Sequence, residues 1–423
     1  MPLPFPLTLA QTETIAQQHP TPFHLYSESA IRATCRAIAS AFAPPALPAF
    51  REFFAVKALP NPFILKILAS EGFGADCSSL AELELCRLAG LSGDRVMFTS
   101  NETPDEEFRA AFSLGAILNL DDISHVEALR SALGGRFPST ICFRYNPGPA
   151  RTGNAIIGNP SEAKYGLTRP QILEAYPLAR SLGATRFGLH TMVVSNELNP
   201  DYHVETARMV FSLALEIFEK TGIRVSFVNN GGGLGIPYKP GVAPMDLAVL
   251  ARGIAAAYDE LIRTTPLHPL AFFTEWGRFV TGPAGWLVTR AIRHKSTYRE
   301  YVGVDASMAD LMRPGIYGAY HHLTVLGKEN EPASKVYDVV GSLCENCDKF
   351  AVQRPLPPIS DGDLLVIHDT GAHGHAMGYN YNGKLRHAEL LLRPDASVLP
   401  IRRAETLTDL FSTLPLSSLP SFS

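Results

Sequence analysis

The chain has 423 residues, 46% of them hydrophobic and 18% charged, with a formal net charge of −4. That length suits one large and one smaller domain, and the composition supplies ample apolar material for a buried core. The slight acidity argues against a nucleic-acid footprint or a polybasic membrane anchor, and no apolar run approaches the roughly 20 residues that cross a bilayer.

The first ten residues are apolar but proline-rich, without a basic flank or a small-residue cleavage site, so they do not read as a signal peptide. Cysteines 35, 77, 86, 142, 344 and 347 are scattered. Together these features predict reduced thiols and a cytoplasmic location. Residues 1–25 are expected to pack with a C-terminal β domain.

From about residue 50, short β-branched and aromatic runs recur. They are EFFAVKA (52–58), GFGADC (72–77), RVMFTS (95–100), AILNL (116–120), TICFRYN (140–146), FGLHTMVV (187–194), VSFVNN (225–230) and LAFFTE (270–275). Helical periodicity lies between them, as in 80–88, 104–112 and 202–220, the last ending at Gly222. Eight strands separated by helix-length segments predict a parallel sheet closed into a (β/α)8 barrel over 26–278. A doubly wound open sheet is the alternative.

After residue 280 the pattern changes. GWLVTRAI, YVGVD, YDVVGSL, DLLVIHD, AELLLR and SVLPIRR follow one another without long helices, and LPPISDG reads as a turn-rich connector. Residues 279–423 therefore read as a mainly antiparallel β domain.

Barrel chemistry sits at the C-terminal ends of the strands. Those ends are polar here, carrying Lys57, Asp76, Arg144, Asn146, His190, Ser195 and Glu275. A lysine after Phe-Phe-Ala-Val is costly to bury, yet a desolvated lysine suits Schiff-base chemistry. Alone, Lys57 could equally extend into solvent. Asn229-Asn230-Gly231-Gly232-Gly233-Leu234-Gly235 follows a strand and is expected to precede a helix whose N-terminus favours an anion; such a loop can cradle a phosphate or merely turn tightly. Glu275 could keep a pyridine nitrogen protonated, or pair with Arg278.

In combination these residues resemble the fold-type III pyridoxal-phosphate decarboxylases, and most of all the diaminopimelate decarboxylases. The likeness runs from Phe23 to about Phe411 and includes FAVKALPNP, GADCSSLAELE, EAKYGL, NGGGLGIPY, EWGRFV, VDASMADLMRPGIYGAYH, CENCD and GAHGHAMGYNYN. The resemblance implies pyridoxal 5'-phosphate held by a Schiff base on Lys57. It implies that Gly231, Gly232, Gly233, Ser195 and the backbone at Gly277 hold the phosphate, that Glu275 faces the ring nitrogen, that Asp76 supports the lysine and that Tyr381 flanks the cofactor. Arg144, His190, Met192, Arg278 and His373 complete the cofactor set. Arg278, Arg313, Tyr317, Glu345 and Tyr381 would contact the substrate. Cys344 would act in catalysis, from a partner subunit of a homodimer. No membrane, nucleic-acid or metal partner is implied.

Three positions depart from the family pattern. Met192 stands where a histidine normally stacks on the ring, Trp276 replaces a proline, and His373 replaces a tyrosine. Arg313 suits a second carboxylate, which favours meso-diaminopimelate as substrate and L-lysine with carbon dioxide as products. D-lysine or D-ornithine is the alternative substrate class. A non-catalytic homologue is opposed by the retained Lys57, glycine loop, Glu275 and Cys344. Cys344-x-x-Cys347 could also suggest redox or zinc chemistry, but no second pair exists and Cys347 reads as incidental. His321, His322, His368, His373 and His375 read as interface or phosphate-side residues rather than as a metal site.

Overall fold

The computed structural model describes residues 3–44, 46–154 and 158–419. Seventeen strands lie along them. They are β1 (Phe23–Ser27), β2 (Phe50–Ala55), β3 (Gly74–Cys77), β4 (Val96–Thr99), β5 (Ile117–Leu120), β6 (Thr140–Tyr145), β7 (Arg186–Thr191), β8 (Val225–Asn229) and β9 (Ala271–Thr274), then β10 (Gly285–Ser296), β11 (Glu300–Val304), β12 (Leu323–Val325), β13 (Lys335–Val340), β14 (Lys349–Leu356), β15 (Leu364–Ile367), β16 (Ala388–Leu392) and β17 (Val398–Arg402).

Strands β2 to β9 close into a barrel in chain order. Every pair is parallel, and the seam is the β2–β9 pair, with Glu52 opposite Thr274. The expected (β/α)8 barrel is therefore present and the open sheet is not. Phe53, Met97, Ile117, Cys142, Phe227 and Phe273 come from six different strands and fill the interior as one buried cluster. Because side chains alternate along a strand, the residues next to Phe53 and Phe273, Glu52 and Thr274, face the other way.

The helices start and stop where local chemistry directs. Helix Pro200–Thr221 begins with Asn199 capping Asp201 N and ends at Gly222, whose φ of 67° is the left-handed conformation glycine adopts cheaply. This is the end point read from the sequence.

By contact density the chain divides into two units. One takes Ser29–Pro237 and Gly241–Gly282; the other takes the described residues up to Glu28, Tyr238–Pro240 and those from Pro283 onward. The expected divisions lay a few residues earlier, after 25 and after 278. Among the described residues the second unit holds a nine-stranded sheet, ordered β14-β13-β11-β10-β1-β16-β17, with β15 pairing β10 and β12. Only β1–β16 and β11–β13 are parallel, so the sheet is mainly antiparallel as expected.

Three of its strands were not anticipated. β1 is buried at all five positions and shows no alternation. β12 is only three residues long. β14 carries Pro355 and a left-handed Gln353 (φ 47°), features tolerated because β14 ends the sheet.

Candidate active site

The barrel rim gathers most of the expected cofactor residues on one unit. Lys57 lies in a single 3-10 turn, Val56–Ala58, directly after β2. Its neighbours are buried but Lys57 is exposed, so the chain itself does not supply the desolvation expected from sequence. The lysine instead sits within the field of carboxyl groups. Burial pushes the Asp76 carboxyl well up, the charge of Glu275 adds to this, and Lys57 opposes both. Thr99 donates to Asp76 Oδ1 at 2.9 Å, and Asn119 donates to Thr99 at 3.2 Å.

Glu275 follows β9 and is 7% exposed. Asn229 Nδ2 donates to its Oε1 at 2.7 Å, and His190 Nε2 lies 3.3 Å from the same oxygen. Burial alone would raise this carboxyl; His190, Lys57 and Arg144 outweigh it and hold the group below the usual range. Glu275 therefore stays ionised, as a carboxylate must to keep a ring nitrogen protonated. His190 is buried on β7, and its Nδ1 has no hydrogen-bond partner among the described residues.

The glycine loop is fitted tightly. Gly231 has φ 70°, and a Cβ there would stand 2.3 Å from the Thr191 carbonyl oxygen. A Cβ on Gly232 would stand 2.7 Å from the Glu275 carbonyl oxygen, and one on Gly233 2.4 Å from that of Val194. The loop is thus bare backbone that no side chain can enter, as a phosphate cradle requires. It does not lead straight into a helix, however. The next helix starts at Leu247, so the expected helix-terminus contribution from this loop falls away. Asn229, to which the sequence reading gave no role, ties loop and carboxylate together: its Oδ1 accepts from Gly231 N at 2.9 Å while its amide reaches Glu275. Its place between a strand and three glycines was the available signal.

Of the other expected residues on this unit, Arg278 reaches Ser195 Oγ at 3.4 Å. A short helix, Gly277–Thr281, starts beside them. Met192 Sδ accepts from Gly232 N at 3.2 Å, so the thioether lies on the loop. Arg144 is buried, pairs with Asp121 at 3.3 Å and lies over the Tyr165 ring at 4.4 Å. Trp276 is not a pocket residue by its ring, which packs on Phe42 and Phe50 at 5.3 and 6.2 Å.

The remaining candidates lie on the second unit. Arg313 is buried; its NH1 pairs with His321 Nε2 at 2.9 Å, and its guanidinium lies 4.5 Å from the Tyr238 ring centroid. His321 Nδ1 pairs with the His368 carbonyl at 2.8 Å, which makes that nitrogen the N–H and leaves Nε2 to accept from Arg313. Tyr317, Cys344, Glu345 and Tyr381 are exposed. Cys344 N donates to Asn382 Oδ1 at 2.8 Å. His373 adopts a left-handed φ of 55°. Among the described residues, no group of three histidine, cysteine or acidic side chains could hold a metal, and no helix is long and apolar enough to cross a membrane.

A closed parallel barrel with an accessible lysine, an ionised buried carboxylate and a bare glycine loop at its rim defines a cofactor-dependent barrel enzyme. Residues 28–282 match the family model described as the pyridoxal-binding domain of pyridoxal-dependent decarboxylases. The chain is 45% identical over 405 residues to Protein TabA of Pseudomonas amygdali pv. tabaci, covering 96% of this chain and 93% of that one. It is 34% identical to the diaminopimelate decarboxylase of Methanothermobacter thermautotrophicus, covering 95% and 93%. Among solved structures, the diaminopimelate decarboxylase of Helicobacter pylori complexed with L-lysine matches with a TM-score of 0.87 at 29% identity, covering 96% of this chain and all of that one. The chain belongs to the pyridoxal-dependent decarboxylase family, and its cofactor is pyridoxal phosphate. The bare loop, the ionised Glu275 and the orphaned His190 Nδ1 fit that group.

Proposed function

We propose that the protein decarboxylates meso-diaminopimelate to L-lysine, with Lys57 as the cofactor tether. The observation that carries the site assignment is the linkage of Glu275, Asn229 and the glycine loop on one rim, next to the turn that bears Lys57. When bound, pyridoxal phosphate supplies an electron sink for the pair left as the Cα–carboxylate bond breaks. Glu275 holds a proton at the ring nitrogen. The backbone of Gly231, Gly232 and Gly233, with Ser195 and the start of the helix at Gly277, holds the phosphate. Asp76, fixed by the Thr99 hydroxyl, supports the lysine. Lys57 or Cys344 then returns a proton to Cα.

The substrate assignment rests on Arg313 as the partner of a second carboxylate, with Arg278, Tyr317, Glu345 and Tyr381 completing the contacts. The likeness to diaminopimelate decarboxylases over nearly the whole chain supports it. The exposure of Cys344, Glu345, Tyr317 and Tyr381 supports a homodimer in which each copy completes the other's site. All six cysteines are free, which fits a reducing cytoplasm.

One observation favours a second reading, a D-diamino acid with a single carboxylate such as D-lysine or D-ornithine. Arg313 is buried and already engaged by His321. Carbon dioxide release from meso-diaminopimelate, D-lysine, D-ornithine and L-ornithine separates the two. Turnover led by meso-diaminopimelate is expected; turnover of D-lysine alone would overturn the assignment.

A further inference from the structure

The barrel seam holds a carboxyl group that the chemistry above does not use. Glu52 lies on β2, five residues before Lys57, and is 2% exposed. Its Oε1 accepts from Trp276 N at 2.5 Å, and its Oε2 pairs with the Thr274 hydroxyl. Thr274 and Trp276 are the two neighbours of Glu275. One buried side chain on the lysine's strand thus grips the main chain after the ring-nitrogen carboxylate and the side chain before it.

The grip is specific to this sequence. A residue at 276 can offer an N–H only if it is not proline. Trp276 offers one, and with its ring fixed against Phe42 and Phe50 that donor is held in place. Backbone pairing leaves Glu275 further held through its own N–H to the Gly231 carbonyl at 2.9 Å. We propose that Glu52 is a positioning residue for the reaction, fixing Glu275 relative to Lys57 across the β2–β9 seam. The inference rests on the reading of Lys57 and Glu275 as cofactor residues.

The chemistry of the pair agrees with this role. Burial pushes the Glu52 carboxyl up to about 8, against the pull of its two hydrogen bonds and with the repulsion of Glu275 added. A largely neutral acid at pH 7 can hold both partners without placing a second full charge beside Glu275. Glutamine reproduces that form: its carbonyl accepts from Trp276 N, and its amide donates to the Thr274 hydroxyl oxygen.

The test compares Glu52→Leu, Glu52→Gln and Thr274→Val, each titrated with pyridoxal phosphate. The readouts are cofactor affinity, the pH dependence of the bound cofactor's absorption, and melting of the cofactor-free protein. Glu52→Leu is expected to weaken cofactor binding about tenfold and to shift the absorption titration, because two buried hydrogen bonds are lost. Glu52→Gln is expected to restore both readouts to within about twofold. Should Glu52→Leu not fold, Thr274→Val decides: loss of one bond predicts about threefold weaker binding with the same direction of spectral shift. Lower melting with unchanged affinity and spectrum, in whichever of these variants folds, would reduce Glu52 to a structural residue and overturn the proposal. Lys57→Ala is run beside them; if it left the cofactor's absorption unchanged, the cofactor-site reading itself would fall, which separates the two failures.

Discussion

Replacing Gly231 by alanine isolates the glycine loop from every other part of the site. The backbone there has φ 70°, which costs a non-glycine residue about 1–2 kcal/mol. The new Cβ would also stand 2.3 Å from the Thr191 carbonyl oxygen, a backbone atom that cannot swing aside. Relieving such overpacking costs typically about 1–3 kcal/mol. The loop must therefore move, and it is bonded to Asn229 through its N–H and to Glu275 through its carbonyl. Both the phosphate cradle and the carboxylate shift with it. Since each 1.4 kcal/mol is about a factor of ten in affinity, pyridoxal phosphate should bind at least about tenfold more weakly. Gly72→Ala is the control, because Gly72 has φ 90° but nothing within 4 Å of an added Cβ. It carries the strain without the contact. Both variants should melt lower in thermal denaturation, while only Gly231→Ala weakens cofactor binding in an absorbance titration. Wild-type cofactor affinity in Gly231→Ala would refute the assignment of this loop.

Other substitutions probe separate parts of the account. Glu275→Gln keeps the shape but removes the charge, and should lower kcat by about a hundredfold or more while the cofactor still binds; steady-state kinetics with a parallel cofactor titration checks this. Arg313→Ala should raise KM for meso-diaminopimelate selectively, and an unchanged preference across the substrate panel would remove Arg313 from the specificity assignment. Acid sensitivity should trace to the second unit. Burial foremost, with neighbouring positive groups, pushes His24 and His375 down to about 3. The unfolded chain binds protons on both below about pH 6.5 while the folded chain does not, so stability is lost as pH falls from there toward 3. His24→Gln should narrow the gap in melting temperature between about pH 7.5 and pH 5; an unaltered gap would contradict the shift.

Much of this was readable in the sequence because strand periodicity and strand-end polarity coincide. Lys57, Asp76, His190 and Glu275 each end or follow an apolar run, and the structure returns all four to one rim. What escaped was information carried by pairing across long separations. β1 reads as an N-terminal fragment, yet it pairs with β10 and β16, more than 250 residues away. Glu52 carries no signal of its own in the sequence, since only closure of the barrel places it opposite Thr274. Trp276 stands out in the sequence only as a replacement of proline; its ring faces Phe42 and Phe50, and its N–H donates to Glu52. Desolvation of Lys57 could not be judged from its apolar neighbours either: they point into the core and leave it exposed.

The central claim is that Lys57 carries the cofactor. Borohydride reduction of the cofactor-loaded protein, followed by peptide mass mapping, tests it directly. The account predicts the pyridoxyl mass on the peptide containing Lys57 and on no other lysine. The mass on a different lysine, or an unmodified Lys57 in protein that turns over substrate, would contradict it.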